Sequence, residues 1–343
     1  MTDSSPQAPR ILVVGPSWVG DMVMAQSLFM TLKQRRPQPA VDVLAPAWSE
    51  PLLARMPEVD RAVTMPLGHG QVQLGTRRRL GRSLGAEGYT QAIILPNSLK
   101  SALVPWWARI QRRTGYVGEW RWGLLNDARR LDRRRLPMTV QRFVALGLER
   151  GTPLPPPVPQ PHLRVRAEDV EQALARLQLV RPAQGLLALC PGAEFGPAKR
   201  WPAEHYGAVA RHYLDRGGAV WVFGSTQDTE VAQAVCDAAG GGVNLAGRTR
   251  LDEAIDLMSL ADAVVSNDSG LMHVAAALQR PLVAVYGSSD PGFTPPLSDH
   301  ARVVRLGLDC SPCFKRECPL GHLNCLRRLE PRQVEQALAE LTS

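Results

Sequence analysis

Short apolar runs alternate with longer amphipathic segments from one end of the chain to the other. Ile11 to Gly15, Val41 to Ala45, Arg61 to Met65 and Gln91 to Leu95 have strand length and an apolar character. Between them, Asp21 to Arg35 and Gln71 to Leu84 carry helical spacing; Met22, Met24, Ala25, Leu28, Phe29 and Leu32 give the first of these a broad apolar face. The pattern resumes later. Helices are predicted over Ala167 to Leu179, Ala203 to Arg216, Thr226 to Ala239, Leu251 to Leu260 and Pro331 to Leu341. Strands are predicted over Gly185 to Cys190, Ala219 to Gly224, Val243 to Ala246, Ala263 to Ser266 and Pro281 to Tyr286. Strict alternation of strand and helix implies parallel sheets covered by helices on both faces, an α/β doubly wound architecture.

One stretch interrupts the alternation. Pro153-Leu154-Pro155-Pro156-Pro157-Val158-Pro159-Gln160-Pro161 is too proline-dense for a helix or a central strand and reads as a semi-rigid linker. It predicts two Rossmann-like domains, residues 1–160 and 161–343, with a cleft at the carboxyl ends of their sheets and the last helix packing back on the first domain. The charge changes sign at the same place. Residues 1–160 hold 22 Lys+Arg against 11 Asp+Glu, a balance of +11, and residues 161–343 hold 18 against 21, a balance of −3. A basic first half implies an anionic partner there. At 343 residues and 45% hydrophobic content the chain can bury two cores. The polar start, Met1 to Arg10, does not resemble a signal peptide. No apolar run reaches the roughly 18 residues of a membrane span. Both observations predict a cytoplasmic protein, and six cysteines in such a chain do not form a secreted disulfide scaffold.

The richest segment is Ala263-Val264-Val265-Ser266-Asn267-Asp268-Ser269-Gly270-Leu271-Met272-His273, a strand, a polar turn and a helix start. A helix N-terminus at the carboxyl end of a strand suits a phosphate; the same turn could be an ordinary cap. Gly15-Pro16-Ser17-Trp18-Val19-Gly20-Asp21 shares the Gly-x4-Gly spacing of a P-loop but has Asp21 where that loop has lysine, and it lacks the dinucleotide fingerprint. Asp21 is therefore either an N-cap or a base facing an acceptor hydroxyl. Lys199, one of four lysines in an arginine-biased chain, precedes Arg200-Trp201-Pro202 and a predicted helix start, where it could serve as counter-charge to a diphosphate. Cys310, Cys313, Cys318 and Cys325 lie within 16 residues with His322 among them, a donor set for a structural zinc site or for loop packing. Trp106, Trp107, Trp120 and Trp122 interleave with Arg109, Arg112, Arg113 and Arg121, which suits a membrane interface, a sugar beside phosphates or a nucleic-acid surface. Arg129, Arg130, Arg133, Arg134 and Arg135 extend this basic region as a solvated face.

The segment Val265 to Ala277, the strand leading to Gly20-Asp21, Lys199-Arg200-Trp201-Pro202, Gly247-Arg248-Thr249-Arg250-Leu251 and Tyr286-Gly287-Ser288-Ser289-Asp290-Pro291 resemble, in the same order, the ADP-heptose:lipopolysaccharide heptosyltransferases. Asn267 to His273 and Phe293-Thr294-Pro295-Pro296-Leu297 are most similar to type II members. The resemblance implies a GT-B fold and an inverting, metal-independent transfer that needs no cofactor beyond the donor, ADP-heptose. It implies an acceptor on the first domain, the lipopolysaccharide inner core bearing Kdo, lipid A and one heptose, with transient contact at the inner face of the inner membrane and no nucleic-acid partner. On this reading Asp21 is the base, and Gly20, Arg112, Arg113 and Arg121 meet the acceptor. Lys199, Thr249, Asp268, Ser269, Gly270, Leu271 and His273 hold the donor, Lys199 neutralising the departing diphosphate. A type I acceptor is the near alternative, and a non-catalytic nucleotide-sugar or RNA-binding module the more distant one.

Overall fold

Alternation in the sequence becomes two stacks of parallel strands in the computed structural model, which describes residues 8–68 and 70–342. Most of the polar lead segment, residues 1–7, lies outside the described residues. The chain divides into two compact units, Met1–Gln160 and Pro161–Ser343. Residues 153–161 form neither helix nor strand.

In the first unit the elements run β1 (Arg10–Val14), α1 (Val19–Lys33), β2 (Ala40–Pro46), α2 (Glu50–Leu53), β3 (Arg61–Met65), α3 (Leu74–Leu84), β4 (Tyr89–Ile94), α4 (Leu99–Trp107), β5 (Arg112–Tyr116), β6 (Asp127–Arg129) and α5 (Thr139–Gly147). The strands form one sheet in the order β3-β2-β1-β4-β5-β6, every pair parallel. Leu12, Val14, Leu44, Ala92 and Ile94 are buried on one face, and the alternating Ile11, Val13, Val43 and Ile93 are buried as well, which explains the uninterrupted apolar runs. Helix α1 starts at Val19, two residues before the predicted start, with Trp18 as its N-cap. Gly20 and Asp21 therefore sit inside its first turn, and Asp21 is not the cap.

The second unit runs α6 (Ala167–Leu177), β7 (Leu186–Cys190), α7 (Ala203–Leu214), β8 (Ala219–Val222), α8 (Thr229–Ala239), β9 (Val243–Asn244), α9 (Leu251–Met258), β10 (Ala263–Asn267), α10 (Gly270–Ala277), β11 (Leu282–Val285), β12 (Ala301–Val304), α11 (Asn324–Arg327) and α12 (Pro331–Thr342). Its parallel order is β12-β11-β10-β7-β8-β9. Helix α12 is seated on α7 and on β10, β11 and β12, where its buried Val334 and Ala337 join the core.

Strand order locates the place where each sheet can hold a ligand. In each unit the chain winds outward on one side of its first strand and then crosses to the other side. Neighbouring loops diverge at that switch, leaving a crevice at the carboxyl ends of β1 and β4 in the first unit and of β7 and β10 in the second. No helix among the described residues is long and apolar enough to cross a membrane.

Candidate functional site

At the second crevice the loops after β7 and β10 are tied together by one side chain. Asn267, the last residue of β10, is fully buried. Its Nδ2 donates to the carbonyl oxygens of Pro191 at 2.6 Å and Gly192 at 3.4 Å, just past β7. Its Oδ1 accepts from the Trp201 amide at 3.0 Å and the Tyr206 hydroxyl at 3.1 Å. Gly192 permits the close approach this requires: a Cβ there would lie 2.4 to 2.6 Å from the carboxyl of Asp228. That carboxyl accepts from Ser225 Oγ at 2.7 Å and pairs with Arg200 at 3.3 Å.

The next residue, Asp268, is 5% exposed and pairs with Lys199, its Oδ2 2.5 Å from the Lys199 Nζ. Lys199 closes a single turn of 3-10 helix, Pro197–Lys199. Its ammonium also lies 5.2 Å from the centre of the Phe195 ring. With one of its three N–H donors on Asp268, the remaining donors are available to a ligand. His273, in the second turn of α10, is buried. Burial pushes its pKa down to about 4; the Lys199 charge acts in the same direction and the Asp268 carboxylate opposes them. At neutral pH its imidazole is uncharged and can hydrogen-bond without adding charge.

Ser269 is the N-cap of α10, and Ser269, Gly270 and Leu271 are half-buried at its start. The first turn of a helix has amide N–H groups without intrahelical partners and a positive dipole end, so this edge favours an anion. The Ser269 hydroxyl lies 3.2 Å from that of Ser266, which donates to the Asn267 carbonyl at 2.8 Å. Beyond β11, Ser288 and Ser289 are 2% and 6% exposed, and neither hydroxyl has a hydrogen-bond partner. Buried hydroxyls are ordinarily hydrogen-bonded, so these two depart from the rule. The sequence alone assigns no role to Asn267, Ser288 or Ser289, although polar residues ending otherwise apolar strands are a signal. Thr249 also stands at the carboxyl edge, but past β9 at the sheet's margin, its hydroxyl 3.4 Å from the Leu245 carbonyl.

In the first unit, Gly20 and Asp21 occupy the crevice side of the sheet, after β1. Of the three arginines expected beside them, two stand at the other edge of the sheet and the third is turned inward. Arg112 and Arg113 begin β5 and so stand at the opposite, amino edge of the parallel sheet. Arg112 pairs with Asp127 and Glu149, each at 3.2 Å; Arg113 donates to the carbonyls of Ile110 at 2.6 Å and Leu124 at 2.7 Å. Arg121 does lie beyond the carboxyl end of β5, but it is buried. It donates to the carbonyls of Tyr116 and Pro96 and to Asn97 Oδ1, and burial pushes its pKa down to about 10. These arginines hold strands and loops, and for the buried Arg121 guanidinium such acceptors are required.

Cys310, Cys313, Cys318, Cys325 and His322 line a cavity of about 20 Å³ together with Ser288. Their chemistry would suit zinc. Among the described residues, however, no three His, Cys, Asp or Glu side chains are arranged to hold a metal ion, so the cluster does not fit a tetrahedral site as it stands. All six cysteines are free thiols. Cys190, inside β7, is buried and its thiol lies well above the usual range.

Four similarities bear on the chain. Residues 77–324 match the sequence model described as glycosyltransferase family 9 (heptosyltransferase). The chain is 48% identical to the lipopolysaccharide heptosyltransferase 2 of Salmonella typhimurium, the alignment covering 97% of this chain and 99% of that one. It is 50% identical to the lipooligosaccharide heptosyltransferase 2 of Haemophilus influenzae, with 87% and 88% covered. Among solved structures, the ADP-heptose lipopolysaccharide heptosyltransferase II of Escherichia coli superposes with a TM-score of 0.86 at 46% identity, covering 97% of this chain and 98% of the other.

Proposed function

Since the chain belongs to glycosyltransferase family 9, whose GT-B architecture its two doubly wound units share, we propose that it is an inverting heptosyltransferase of type II. It moves a heptose from ADP-L-glycero-D-manno-heptose to the first heptose of the lipopolysaccharide inner core. The observation that carries the donor half is the Lys199–Asp268 pair beside the start of α10, at the β7/β10 switch. The near-complete alignment to type II relatives carries the acceptor.

In the reaction an acceptor hydroxyl attacks the anomeric carbon from the face opposite ADP. The new carbon–oxygen bond forms as the bond to the β-phosphate oxygen breaks, and the hydroxyl proton passes to Asp21. Lys199 and the N–H groups of Ser269, Gly270 and Leu271 take up the charge developing on ADP. Asp268 holds Lys199 and accepts from donor-sugar hydroxyls. Neutral His273 supports the phosphate region, and Thr249 borders the nucleotide. Lysine and helix dipole together supply the charge that a metal supplies in other transferases. The cysteine cluster takes no part in the chemistry. Gly20 lets the acceptor approach Asp21, while Arg112, Arg113 and Arg121 keep the first unit in shape. Because the acceptor is a lipid, the enzyme works transiently at the inner face of the inner membrane.

The test is ADP release from ADP-heptose with core acceptors carrying no, one or two heptoses. Turnover is expected with the mono-heptosylated acceptor. Turnover with the heptose-free acceptor alone would assign the type I reaction instead. Asp21→Asn should lose about 10²- to 10⁴-fold in kcat while ADP still binds; near-normal turnover would remove Asp21 from the role of base.

A further inference from the structure

The carboxyl edge of the first sheet is unexpectedly greasy. Trp18 follows β1, Trp48 follows β2, Leu74 opens the helix after β3, Leu99 opens the helix after β4, and Trp120 and Trp122 follow β5. All are exposed in the folded chain, Trp120 at 86% and Trp122 at 66%. Since every strand pair in the sheet is parallel, these five successive connections emerge along one edge. In this unit Trp106, at the far end of α4, is the exception among the described exposed residues.

The loop after β5 is built to present its tryptophans. Arg121, between them, turns inward and is held by the carbonyls of Tyr116 and Pro96 and by Asn97 Oδ1. Glu119 accepts from the first amide of α4, Leu99 N, at 2.9 Å. Both charged side chains therefore pin the loop to the β4–α4 connection, and the indoles are left outward. This inverts the ordinary arrangement, in which the arginine faces water and the tryptophans pack. Tryptophans fixed in this way lose little further conformational freedom on entering an interface. Beside them, past the carboxyl end of β6, stand exposed Arg130, Arg133, Arg134 and Arg135. Indoles prefer the headgroup level of a bilayer, and a basic cluster is attracted to anionic lipid.

We infer that this edge, with Trp120 and Trp122 at its tip, docks on an anionic phospholipid bilayer. The inference rests on the reading that the acceptor is a lipid, and it names the surface that brings the enzyme to it. A single weak anchor gives reversible binding, whereas aromatic insertion combined with basic attraction gives a salt-sensitive hold suited to a transient visitor.

The test uses the full-length protein and vesicles of phosphatidylethanolamine with phosphatidylglycerol, compared with vesicles of phosphatidylcholine alone. Wild type should sediment with the anionic vesicles, release with salt, and lose tryptophan fluorescence to brominated acyl chains. Trp120→Ser/Trp122→Ser should bind at least about tenfold more weakly and lose most of the quenching. Its turnover on a delipidated, mono-heptosylated acceptor should match wild type, which also shows that it folds. Equal vesicle binding by variant and wild type, or none by wild type, overturns the inference. So does a loss of kcat/KM on the delipidated acceptor with vesicle binding intact, which would make the indoles a sugar platform. Salt-sensitive retention on RNA without vesicle binding overturns it as well. Failure of wild type to transfer heptose would strike the functional reading alone, because the vesicle arm does not depend on turnover.

Discussion

Replacing Asn267 with alanine isolates the contact on which the β7/β10 crevice depends. The variant removes two donated and two accepted hydrogen bonds from a fully buried position. Not all of the partners suffer equally. The Tyr206 hydroxyl keeps a second acceptor, the Cys190 carbonyl at 3.3 Å. The Gly192 carbonyl is at the limit of bonding at 3.4 Å. That leaves the Trp201 amide and the Pro191 carbonyl as orphans, and a buried orphan costs about 1–3 kcal/mol. The expected loss is therefore about 2–6 kcal/mol, a large share of the roughly 5–15 kcal/mol that stabilises a domain. Urea unfolding of the full chain measures it, with each transition fitted separately because the two units need not unfold together. Asn267→Asp separates the shares, since it keeps the oxygen that serves Trp201 and Tyr206 but sets a second oxygen against the Pro191 carbonyl. In both variants ADP should bind at least about tenfold more weakly, because the loop after β7 loses its tie to β10. A stability change under about 0.5 kcal/mol together with unchanged ADP affinity would refute the clamp.

Three further outcomes follow from the same crevice. Lys199→Met should weaken ADP binding and turnover together and leave Asp268 buried without its cation, costing about 3 kcal/mol or more, with Lys199→Arg recovering part of both; unchanged ADP affinity, read by calorimetry, would count against the phosphate contact. His273 has a folded-state pKa lowered to about 4, so the unfolded chain binds the extra proton between about pH 6.5 and 4. Stability should accordingly be level above pH 6.5 and fall on acidification by up to about 1.4 kcal/mol per pH unit, a component that His273→Gln abolishes; an unaltered pH slope in that variant would mean the imidazole is not buried neutral. Ser289→Ala should leave the unfolding midpoint unchanged or slightly raised, because it deletes an orphaned hydroxyl, yet raise KM for the donor. A clear fall in the midpoint would show that the hydroxyl already has a structural partner.

The central strands were legible because parallel strands covered on both faces need unbroken apolar runs, as in Ile11 to Val14 and Leu186 to Cys190. Edge strands carry no such requirement. Strand β6 reads Asp-Ala-Arg and β12 Ala-Arg-Val-Val, so neither stands out from a loop. The turn Asn267 to Gly270 was legible because its chemistry is contiguous. The partnership of Asp268 with Lys199 was not, since 69 residues separate them and only the adjacency of β10 with β7 brings them together. Arg121 shows a second limit. Composition identifies an arginine among tryptophans, but the direction of each side chain is set by the carbonyls of Tyr116 and Pro96, which no local pattern reveals.

The polar residues at the β7/β10 crevice argue for a role of their own through what they cost. Apolar replacements of similar size in a buried sheet end are often neutral or stabilising. Yet the run Ala263-Val264-Val265 passes into Ser266, Asn267 and Asp268 while burial continues without a break. Asp268 and Lys199 are drawn out of water together, His273 is held uncharged, and Ser288 and Ser289 are left without partners. Each departure from the best-folding choice falls where strand order alone predicts a ligand. A stack of polar groups placed there only for stability would be expected to satisfy its own hydrogen bonds, as Asn267 does. The exceptions, the Ser288 and Ser289 hydroxyls past β11, stand where satisfying a hydrogen bond has not governed the choice of residue.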